Sequence, residues 1–371
     1  MKVPFSKHNF TSKTFYDVQK ILQSGWLTHG KYTSLFEEEF KKFTNSKYAV
    51  TVSSCTAGLH LSCLAAGFKR GDEVIVPAMS HTATSHAVEY TGAKVKFVDV
   101  NLLTGNINVS LINKLITKKT KGLIVVHMAG FPCDMREIAK ICKKKKLKLI
   151  EDCAHAVGTR SNSLHVGNFG ISGSFSFYPT KQIVTGEGGI VVTNNKQIFK
   201  KIKMLKGFGI DKDVTQRKKP GVYDVKDLGF NYRMTDFQSA LGYNQIINYK
   251  NNLKKRKLIA KRYIKNLKNF KKIHVMPYDE NCSYFIFQIF AKNRNLVLKN
   301  LKKKQIQFSL HYSTPLPFLS FYKKKYAINK KEFKNSKIYA DQNISLPCYP
   351  KLKIETVDNI CKTIINSFKN T

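Results

Sequence analysis

The sequence predicts an α/β protein with a mostly parallel sheet covered by helices, followed by a small C-terminal α+β domain. Through the first half of the chain, apolar β-prone runs alternate with amphipathic helical patterns, which is typical of parallel strands joined by crossover helices. A continuously helical pattern over residues 236–270 then precedes a short, mixed remainder. Because 371 residues are enough for two domains, we predict a large domain over residues 1–245 and a small one over 246–371. The N-terminal segment is expected to pack toward the small domain.

The individual elements follow from the spacing of apolar residues in chain order. Two helices are predicted first, over residues 15–22 and 34–43. Seven strands are predicted next, over residues 47–52, 71–77, 94–98, 121–126, 147–150, 173–178 and 190–193. Helices are predicted between the earlier of these strands, over residues 56–67, 82–90, 109–116 and 135–144. After the long helical run, a strand is predicted over 283–290 and helices over 296–303 and 357–368.

Composition excludes several classes of protein. The apolar content of 42% and the aromatic content of 12% are ordinary for a globular chain and exclude a disordered one. No apolar run approaches the ~20 residues that a membrane span requires, and the first residues contain no signal-peptide core. We therefore expect a cytoplasmic protein without a membrane partner.

The net charge of +40 raises the alternative of a nucleic-acid-binding protein. Only eight of the 64 basic residues are arginine, however, and arginine is the usual reader of bases and clamp for phosphates. The lysines are spread along the chain beside amphipathic patterns, which favours solvated helix faces. We predict no specific nucleic-acid partner, although the charge should help to attract an anionic substrate at low salt.

Cysteine spacing predicts no metal site. The eight cysteines are scattered, and no two of them form a CxxC pair. In a chain of this size they are most simply buried or free thiols.

A carboxylate and a lysine stand at the ends of two predicted strands. Asp152 follows the strand over 147–150, and Lys181 follows the strand over 173–178, just before a glycine-rich loop at 186–189. Ligands bind outside the carboxyl ends of parallel strands, so these two side chains can converge. An aldehyde cofactor requires such a pair, because a lysine forms the Schiff base and a carboxylate holds the pyridinium proton. Taken on spacing alone, the pattern favours the alternative that Lys181 is one solvated lysine among many.

Three motifs carry a resemblance to a known family. EDCAHAVG at 151–158, SFSFYPTK at 174–181 and TGEGG at 185–189 resemble the DegT/DnrJ/EryC1/StrS family of pyridoxal-phosphate-dependent sugar aminotransferases. The likeness extends from the Gly-Trp-Leu at 25–27 to the closing SLPCYP at 345–350. It implies the fold type I of these transferases, with a seven-stranded sheet, and pyridoxal 5'-phosphate as the cofactor.

The resemblance assigns the central roles to two residues. Lys181 matches the Schiff-base lysine, whose freed amine then shuttles a proton as base and acid. Some relatives carry histidine there and dehydrate their sugar, so lysine favours transamination. Asp152 matches the aspartate that faces the pyridine nitrogen and keeps it protonated. The resemblance places His155 close to the cofactor ring. Without the resemblance, a buried histidine with its hydrogen bonds satisfied within the core is the favoured interpretation.

The phosphate of the cofactor is assigned to the turn before a predicted helix. Ser54, Cys55 and Thr56 lie between strand and helix, where free backbone N–H groups and the helix dipole favour an anion. The alternative is simple helix capping by Ser54. The family pattern here is Ser-Gly-Thr-Ala-Ala-Leu, and this chain departs from it by carrying Cys55 in place of glycine. Ser176 matches a phosphate-contacting serine, the alternative being an ordinary strand residue.

Two further assignments rest on the resemblance alone. His81 falls where the family places an aromatic ring that stacks on the cofactor. Asn231 matches an asparagine that reaches the phosphate of the neighbouring subunit, which implies a homodimer with shared active sites. Substrate contacts are implied for residues 26–31, for residues 311–312 and for the segment after Lys181, without individual roles.

The function implied is conversion of a nucleotide-linked keto-deoxy-sugar to the amino sugar, with glutamate as the amino donor, for surface-polysaccharide or glycan synthesis. One alternative within the family is an enzyme acting on another ring, such as a cyclitol or an aminohydroxybenzoate precursor. Another is a non-catalytic regulator that binds the cofactor. The presence of both Lys181 and Asp152 argues against the regulator, because a sensor needs no electron sink. The sequence leaves open the nucleotide, the sugar and whether C3 or C4 is aminated.

Overall fold

A computed structural model describes residues 2–212, 219 and 221–369 of the chain. The strands are β1 Tyr48–Val52, β2 Glu73–Pro77, β3 Lys94–Val98, β4 Thr120–Val126, β5 Lys148–Asp152, β6 Arg160–Ser161, β7 Leu164–His165, β8 Ser172–Ser176, β9 Gly189–Thr193, β10 His274–Val275, β11 Phe287–Phe290 and β12 Asn343–Leu346. The helices are α1 Ser12–Ser24, α2 Lys31–Thr44, α3 Cys55–Ala65, α4 Thr82–Glu89, α5 Val109–Leu115, α6 Met135–Lys144, α7 Lys196–Leu205, α8 Asp236–Ile246, α9 Tyr249–Leu267, α10 Arg294–Lys303, α11 Ser320–Lys325, α12 Lys334–Gln342 and α13 Ile354–Asn366.

The main sheet has seven strands in the order β1-β9-β8-β5-β4-β2-β3. Strands β3, β2, β4, β5 and β8 pair in parallel, whereas β9 runs antiparallel to both β8 and β1. The predicted mostly parallel sheet is therefore confirmed. The carboxyl ends of the parallel strands lie at one edge of the sheet. In open α/β sheets, ligands bind in the crevice outside these carboxyl ends.

Aromatic packing fixes the position of β8, the strand that leads to Lys181. Phe175 and Phe177 are fully buried and contact Phe36 and Phe40 of α2, with ring centroids 5.0–5.8 Å apart in three tilted or T-shaped pairs. Burying one such side chain contributes roughly 1.5–3 kcal/mol. The alternation along β8 turns its serines to the opposite face, toward α3.

A second sheet lies in the C-terminal part of the chain. Strands β10, β11 and β12 pair antiparallel in that order, and α9 and α13 pack against one another beside them. The N-terminal segment joins this part, since Val3 exchanges backbone hydrogen bonds with residues 305 and 307. The boundary at residue 245 remains a prediction.

Two of the predicted elements are wrong in extent. The helical run over 236–270 is interrupted between Ile246 and Tyr249, because α8 packs on α1 and α2 whereas α9 packs on α13 and β10. The strand predicted over 283–290 is shorter, and only β11 forms. The backbone N–H groups of Ser283 and Phe285 donate to Gly130 and Ala129 instead of to a neighbouring strand.

All eight cysteines are buried and unpaired, so the prediction of buried thiols is confirmed. Among the described residues, we find no helix with both the length and the apolar character needed to cross a bilayer.

Candidate active site

A cavity of about 430 Å³ opens at the carboxyl ends of the parallel strands. It brings together eight of the nine residues singled out in the sequence, namely Ser54, Cys55, Thr56, His81, Asp152, His155, Ser176 and Lys181. Residues from three separate strand ends and from the C-terminal part of the chain therefore face one space. His311 and Tyr312, in the segment implied for substrate contact, also line it.

Asp152 is the last residue of β5, and its side chain is 3% exposed. Its Oδ2 atom accepts a hydrogen bond from the Thr84 hydroxyl at 2.7 Å. Its Oδ1 atom accepts one from the backbone N–H of Ala154 at 3.1 Å, and the Cys55 thiol lies 4.0 Å away. A buried carboxylate is costly unless donors satisfy it, and this one is held on both oxygens.

Lys181 follows β8 in a turn closed by its own backbone N–H, which donates to Tyr178 O at 2.8 Å. Its Nζ atom lies 4.5 Å from the centroid of the Phe285 ring. Burial lowers the pKa of Lys181 to about 8, and the neighbouring Cys55 and Asp152 oppose that shift. An amine with such a pKa has a much larger neutral fraction near physiological pH than an ordinary lysine, and the neutral form is the one that attacks an aldehyde.

His155 lies between the two parts of the chain. Its ring stacks on Phe285 at a centroid distance of 4.5 Å and an interplanar angle of 21°. Its Nδ1 atom accepts the backbone N–H of Ala129 at 3.4 Å. Burial, and then the charge of Lys181, hold the pKa of His155 well below its usual value. The neutral ring therefore carries its proton on Nε2, which lies 3.5 Å from the Tyr312 hydroxyl.

His81 precedes α4 and caps it, since its Nδ1 atom accepts the N–H of Ala83 at 3.2 Å. Its ring centroid lies 6.1 Å from that of Tyr312 across the cavity. Burial lowers the pKa of His81, and burial lowers that of His311 to about 3. Both imidazoles are thus neutral rings facing Lys181, and a neutral ring can stack on a planar ligand.

The start of α3 has the features of an anion-binding site and also those of an ordinary helix N-cap. The Ser54 hydroxyl caps the helix by accepting the N–H of Ala57 at 3.1 Å. The N–H groups of Cys55 and Thr56 belong to the first turn, which has no acceptors within its own helix. Gly189 passes so close that a Cβ there would lie 2.6 Å from the backbone N of Cys55. Glycine in the TGEGG motif is therefore required by this close approach.

Ser176 ends β8 and is 8% exposed within the cavity wall. Its hydroxyl accepts the N–H of Tyr178 at 3.4 Å, which leaves its proton available to a second acceptor. Together with the α3 terminus it contributes polar groups to the wall of the cavity.

The structure also adds site residues that sequence reasoning missed. Thr84 is bonded to Asp152, and Phe285 supplies the ring beneath Lys181. Gln182 donates from its amide to Ser283 Oγ at 2.8 Å and to Val157 O at 3.2 Å, which ties the turn after Lys181 to the C-terminal part. Only the adjacency of Gln182 to Lys181 offered a local signal. Phe285 offered none, because its place depends on how distant segments pack.

Asn231 lies outside this cavity in its own chain. Its side chain is exposed, and its Oδ1 atom accepts the Nε–H of Arg233 at 3.2 Å. Its backbone bridges to Gly207. Of the nine predicted residues, this one is not brought to Lys181 by the fold of a single chain.

One buried group has the composition of a metal site. Side-chain atoms of His127, Glu151 and Cys153 lie within 4.8 Å of one another. The Glu151 carboxylate, however, accepts three backbone N–H groups from residues 167, 169 and 170 at 2.7–2.9 Å. His127 Nε2 lies 3.2 Å from the same carboxylate. Glu151 thus holds the turn before β8 in place, and the candidate ligand atoms of His127 and Glu151 are already engaged in hydrogen bonds.

Comparison with known proteins identifies the relatives of this arrangement. The family model described as the DegT/DnrJ/EryC1/StrS aminotransferase family matches residues 9–365. A GDP-perosamine synthase of Escherichia coli O157:H7 is 35% identical over 366 residues, covering 98% of this chain and 97% of that protein. Among solved structures, Helicobacter pylori PseC, an aminotransferase of pseudoaminic acid biosynthesis, superposes with a TM-score of 0.92 at 28% identity, covering 100% of both chains.

A sugar aminotransferase of Streptococcus pneumoniae, Spr1654, is similar in its pyridoxal-phosphate and pyridoxamine-phosphate forms. Each form has a TM-score of 0.92 at 28% identity and covers 99% of this chain and 98–99% of the solved one. These structures and the family model, taken together with the lysine, carboxylate and glycine cradle of the cavity, lead to one conclusion. The chain belongs to the DegT/DnrJ/EryC1/StrS aminotransferase family.

Proposed function

We propose that this chain is a pyridoxal-phosphate-dependent aminotransferase that converts a nucleotide-linked keto-deoxy-sugar to the amino sugar. Glutamate would be the amino donor, and the product would enter surface-polysaccharide or glycan synthesis. The observation that carries the proposal is the pairing of the low-pKa amine of Lys181 with the buried Asp152 in one cavity. The names of the similar proteins, a GDP-perosamine synthase and PseC, support the class of substrate.

The residues of the cavity fit the proposed cofactor. Its aldehyde would meet Lys181 and its ring nitrogen would meet Asp152. Its phosphate would take the N–H groups at the start of α3 and the hydroxyl of Ser176, where Gly189 leaves room. The rings of His81 and His155 would lie along the planar ring. When bound, pyridoxal phosphate supplies a carbonyl that exchanges with amines and a ring that accepts the electrons of a broken C–H bond.

Lys181 has a second task beyond attachment. A free amine with a pKa of about 8 can take a proton from carbon and return it, since it is neither fully protonated nor too weak a base near neutral pH. Phe285 and the buried histidines surround this amine with apolar or neutral groups. These groups exclude water from the atom that moves the proton.

Asp152 stabilises a positive charge at the proposed ring nitrogen. The carboxylate is buried, so its interaction with a cation is weakened by water much less than at the surface. Removing one partner of such a buried pair costs roughly 3–5 kcal/mol. Asp152 should therefore control both cofactor retention and rate.

We further propose that the active site is completed by a second copy of the chain. Asn231 is exposed beside an apolar surface formed by Phe208, Val225 and Leu228, which are 44%, 56% and 82% exposed. Exposed apolar groups of this kind are typical of protein interfaces. A two-fold dimer would place each Asn231 at the phosphate of the other chain. The cytoplasmic location remains a prediction.

The test is a product assay with a panel of UDP-, GDP- and dTDP-keto-sugars and glutamate. We expect formation of one amino sugar together with 2-oxoglutarate, and loss of both in the Lys181→Ala variant. Turnover of a cyclitol or an aminohydroxybenzoate precursor in place of every nucleotide sugar would reassign the substrate. Cofactor binding without turnover of any of these compounds would favour the regulator.

A further inference from the structure

Two hydroxyl groups at the start of α4 lead to the carboxylate of Asp152. The Thr84 hydroxyl oxygen lies 2.7 Å from Asp152 Oδ2, and the Ser80 hydroxyl oxygen lies 2.6 Å from that of Thr84. Thr84 has no exposed surface, and Ser80 is 4% exposed. The three side chains form one buried row that ends at the proposed cofactor site.

The chemistry of these groups decides which atom donates and which accepts in each hydrogen bond of the row. An ionised carboxylate only accepts hydrogen bonds, so the single proton of the Thr84 hydroxyl must point to Asp152. A lone pair of Thr84 is then left to accept the proton of Ser80. Bonds from a hydroxyl to a carboxylate are short and about twice as strong as neutral ones. The 2.7 Å distance fits such a bond.

The two oxygens of Asp152 are thereby held by different parts of the chain. Oδ1 is held by the N–H of Ala154, two residues away in its own strand end. Oδ2 is held by Thr84, which stands on a helix that follows another strand. A local bond alone leaves the carboxylate free to rotate about its own axis, whereas a second bond from α4 fixes its plane.

We propose that Thr84, supported by Ser80, is a positioning residue that orients Asp152 toward the ring nitrogen of bound pyridoxal phosphate. This inference rests on the proposed function. Thr84 acts through Asp152: its bond to Oδ2 fixes the plane of the carboxylate and thereby the direction in which the Oδ1 lone pair points. Loss of the hydroxyl leaves Oδ2 without that donor and lets the carboxylate turn, which weakens its hold on a charged ring.

The same helix offers a matched control. Ser85 adjoins Thr84, is equally unexposed, and bonds through its hydroxyl to the Tyr322 hydroxyl at 2.5 Å. Its partner belongs to α11 rather than to the cavity wall. Replacing Ser85 therefore removes a buried hydrogen bond from α4 without touching Asp152.

The experiment compares Thr84→Val, Thr84→Ser and Ser85→Ala with the wild-type protein. Each is purified, freed of cofactor, and titrated with pyridoxal phosphate while the visible absorbance is followed; the melting temperature of each cofactor-free protein is measured as well. We expect Thr84→Val to raise the dissociation constant about tenfold, which corresponds to about 1.4 kcal/mol and lies near the lower limit of what a hydrogen bond to a charged group contributes. Thr84→Ser should restore wild-type binding. Ser85→Ala should lower the melting temperature and leave cofactor affinity unchanged.

Wild-type affinity in Thr84→Val would overturn the inference. So would an equal loss of affinity in Thr84→Ser or in Ser85→Ala, because the effect would then be structural. If Thr84→Val does not fold, Ser80→Ala provides the test: an affinity for pyridoxal phosphate below that of the wild-type protein supports the row, and no loss overturns it. Failure of the wild-type protein to bind pyridoxal phosphate would instead refute the proposed function itself.

Discussion

The Nζ atom of Lys181 lies 4.5 Å from the centroid of Phe285. Lys181 follows β8 of the seven-stranded sheet, whereas Phe285 precedes β11 of the second sheet. The environment of the amine is thus built by two distant parts of the chain. Burial between them lowers the pKa of Lys181 to about 8, and several measurable consequences follow.

The first prediction concerns the point of attachment. The purified protein should bind pyridoxal phosphate and turn yellow, and borohydride should then fix the cofactor to Lys181. Lys181 has a depressed pKa and lies in the same cavity as Asp152, so it combines the nucleophile with the counter-charge. Mass spectrometry of the digested protein locates the modified lysine, with Lys181→Ala as the control. A modification found chiefly on another lysine would refute the assignment.

The second prediction concerns pH. The neutral amine attacks an aldehyde and the ammonium does not, so the rate of cofactor capture should rise with pH as Lys181 loses its proton. The midpoint should lie near pH 8, because burial has lowered the pKa from its ordinary 10.5. Stopped-flow absorbance of cofactor-free protein mixed with pyridoxal phosphate gives the profile. A midpoint close to pH 10.5 would contradict the prediction, because it would show that the Lys181 amine is exposed to water.

The third prediction removes the ring. Phe285→Ala admits water to Lys181, and since burial is the largest cause of the shift, the pKa should move back toward 10.5. The midpoint of the capture profile should rise accordingly. Phe287→Ala is the matched control, since Phe287 is also buried in this region but stacks on Tyr263 at 4.7 Å. Both variants should lose about 3–5 kcal/mol of stability. Equal pH midpoints in the two would rule out a special role for Phe285.

The fourth prediction neutralises Asp152. Asp152→Asn should bind the cofactor more weakly and lose most turnover, because an amide cannot balance a protonated ring nitrogen. The loss of a buried charge partner is worth roughly 3–5 kcal/mol. Affinity by absorbance titration and steady-state turnover are the measurements.

Asp99→Asn is the control for that change. Asp99 is buried too, but it accepts the backbone N–H groups of Ser336 and Asn335 at 2.8 and 2.9 Å. Its replacement should lower the melting temperature and spare cofactor affinity. Near-normal turnover in Asp152→Asn would reduce Asp152 to a strand-end carboxylate without a part in the chemistry.

The fifth prediction tests the shared site. If Asn231 serves the partner chain, a heterodimer of Lys181→Ala and Asn231→Ala subunits has both lesions in one site and neither in the other. Mixing the two inactive variants should then restore activity, and each heterodimer should reach about half the activity of a wild-type dimer. If Asn231 acts within its own chain, every site carries one lesion and mixing restores nothing. A monomer in sedimentation at assay concentration would also contradict the model.

The sequence alone determined the fold class and the main candidates for the chemistry. Asp152 and Lys181 could be predicted in this way because Asp152 ends one buried strand and Lys181 closely follows another, and the carboxyl ends of parallel strands converge on one edge of the sheet. The glycines of residues 185–189 and the polar turn at 53–56 were visible for the same reason, since their signals are local. The confirmed mostly parallel sheet rests on the alternation of strands and helices, and its seven strands agree with the number that the family resemblance implied.

Only the tertiary structure decided which other side chains lie beside Asp152 and Lys181 at that edge of the sheet. It brought the Thr84 hydroxyl to Asp152 and the Phe285 ring to Lys181, left Asn231 outside the cavity, and divided the helical run between α8 and α9. None of these follows from periodicity, which reports which face of an element is buried and not what lies against it. The partner of a buried side chain is set by contacts between segments far apart in the chain, and those exist only once the chain has folded.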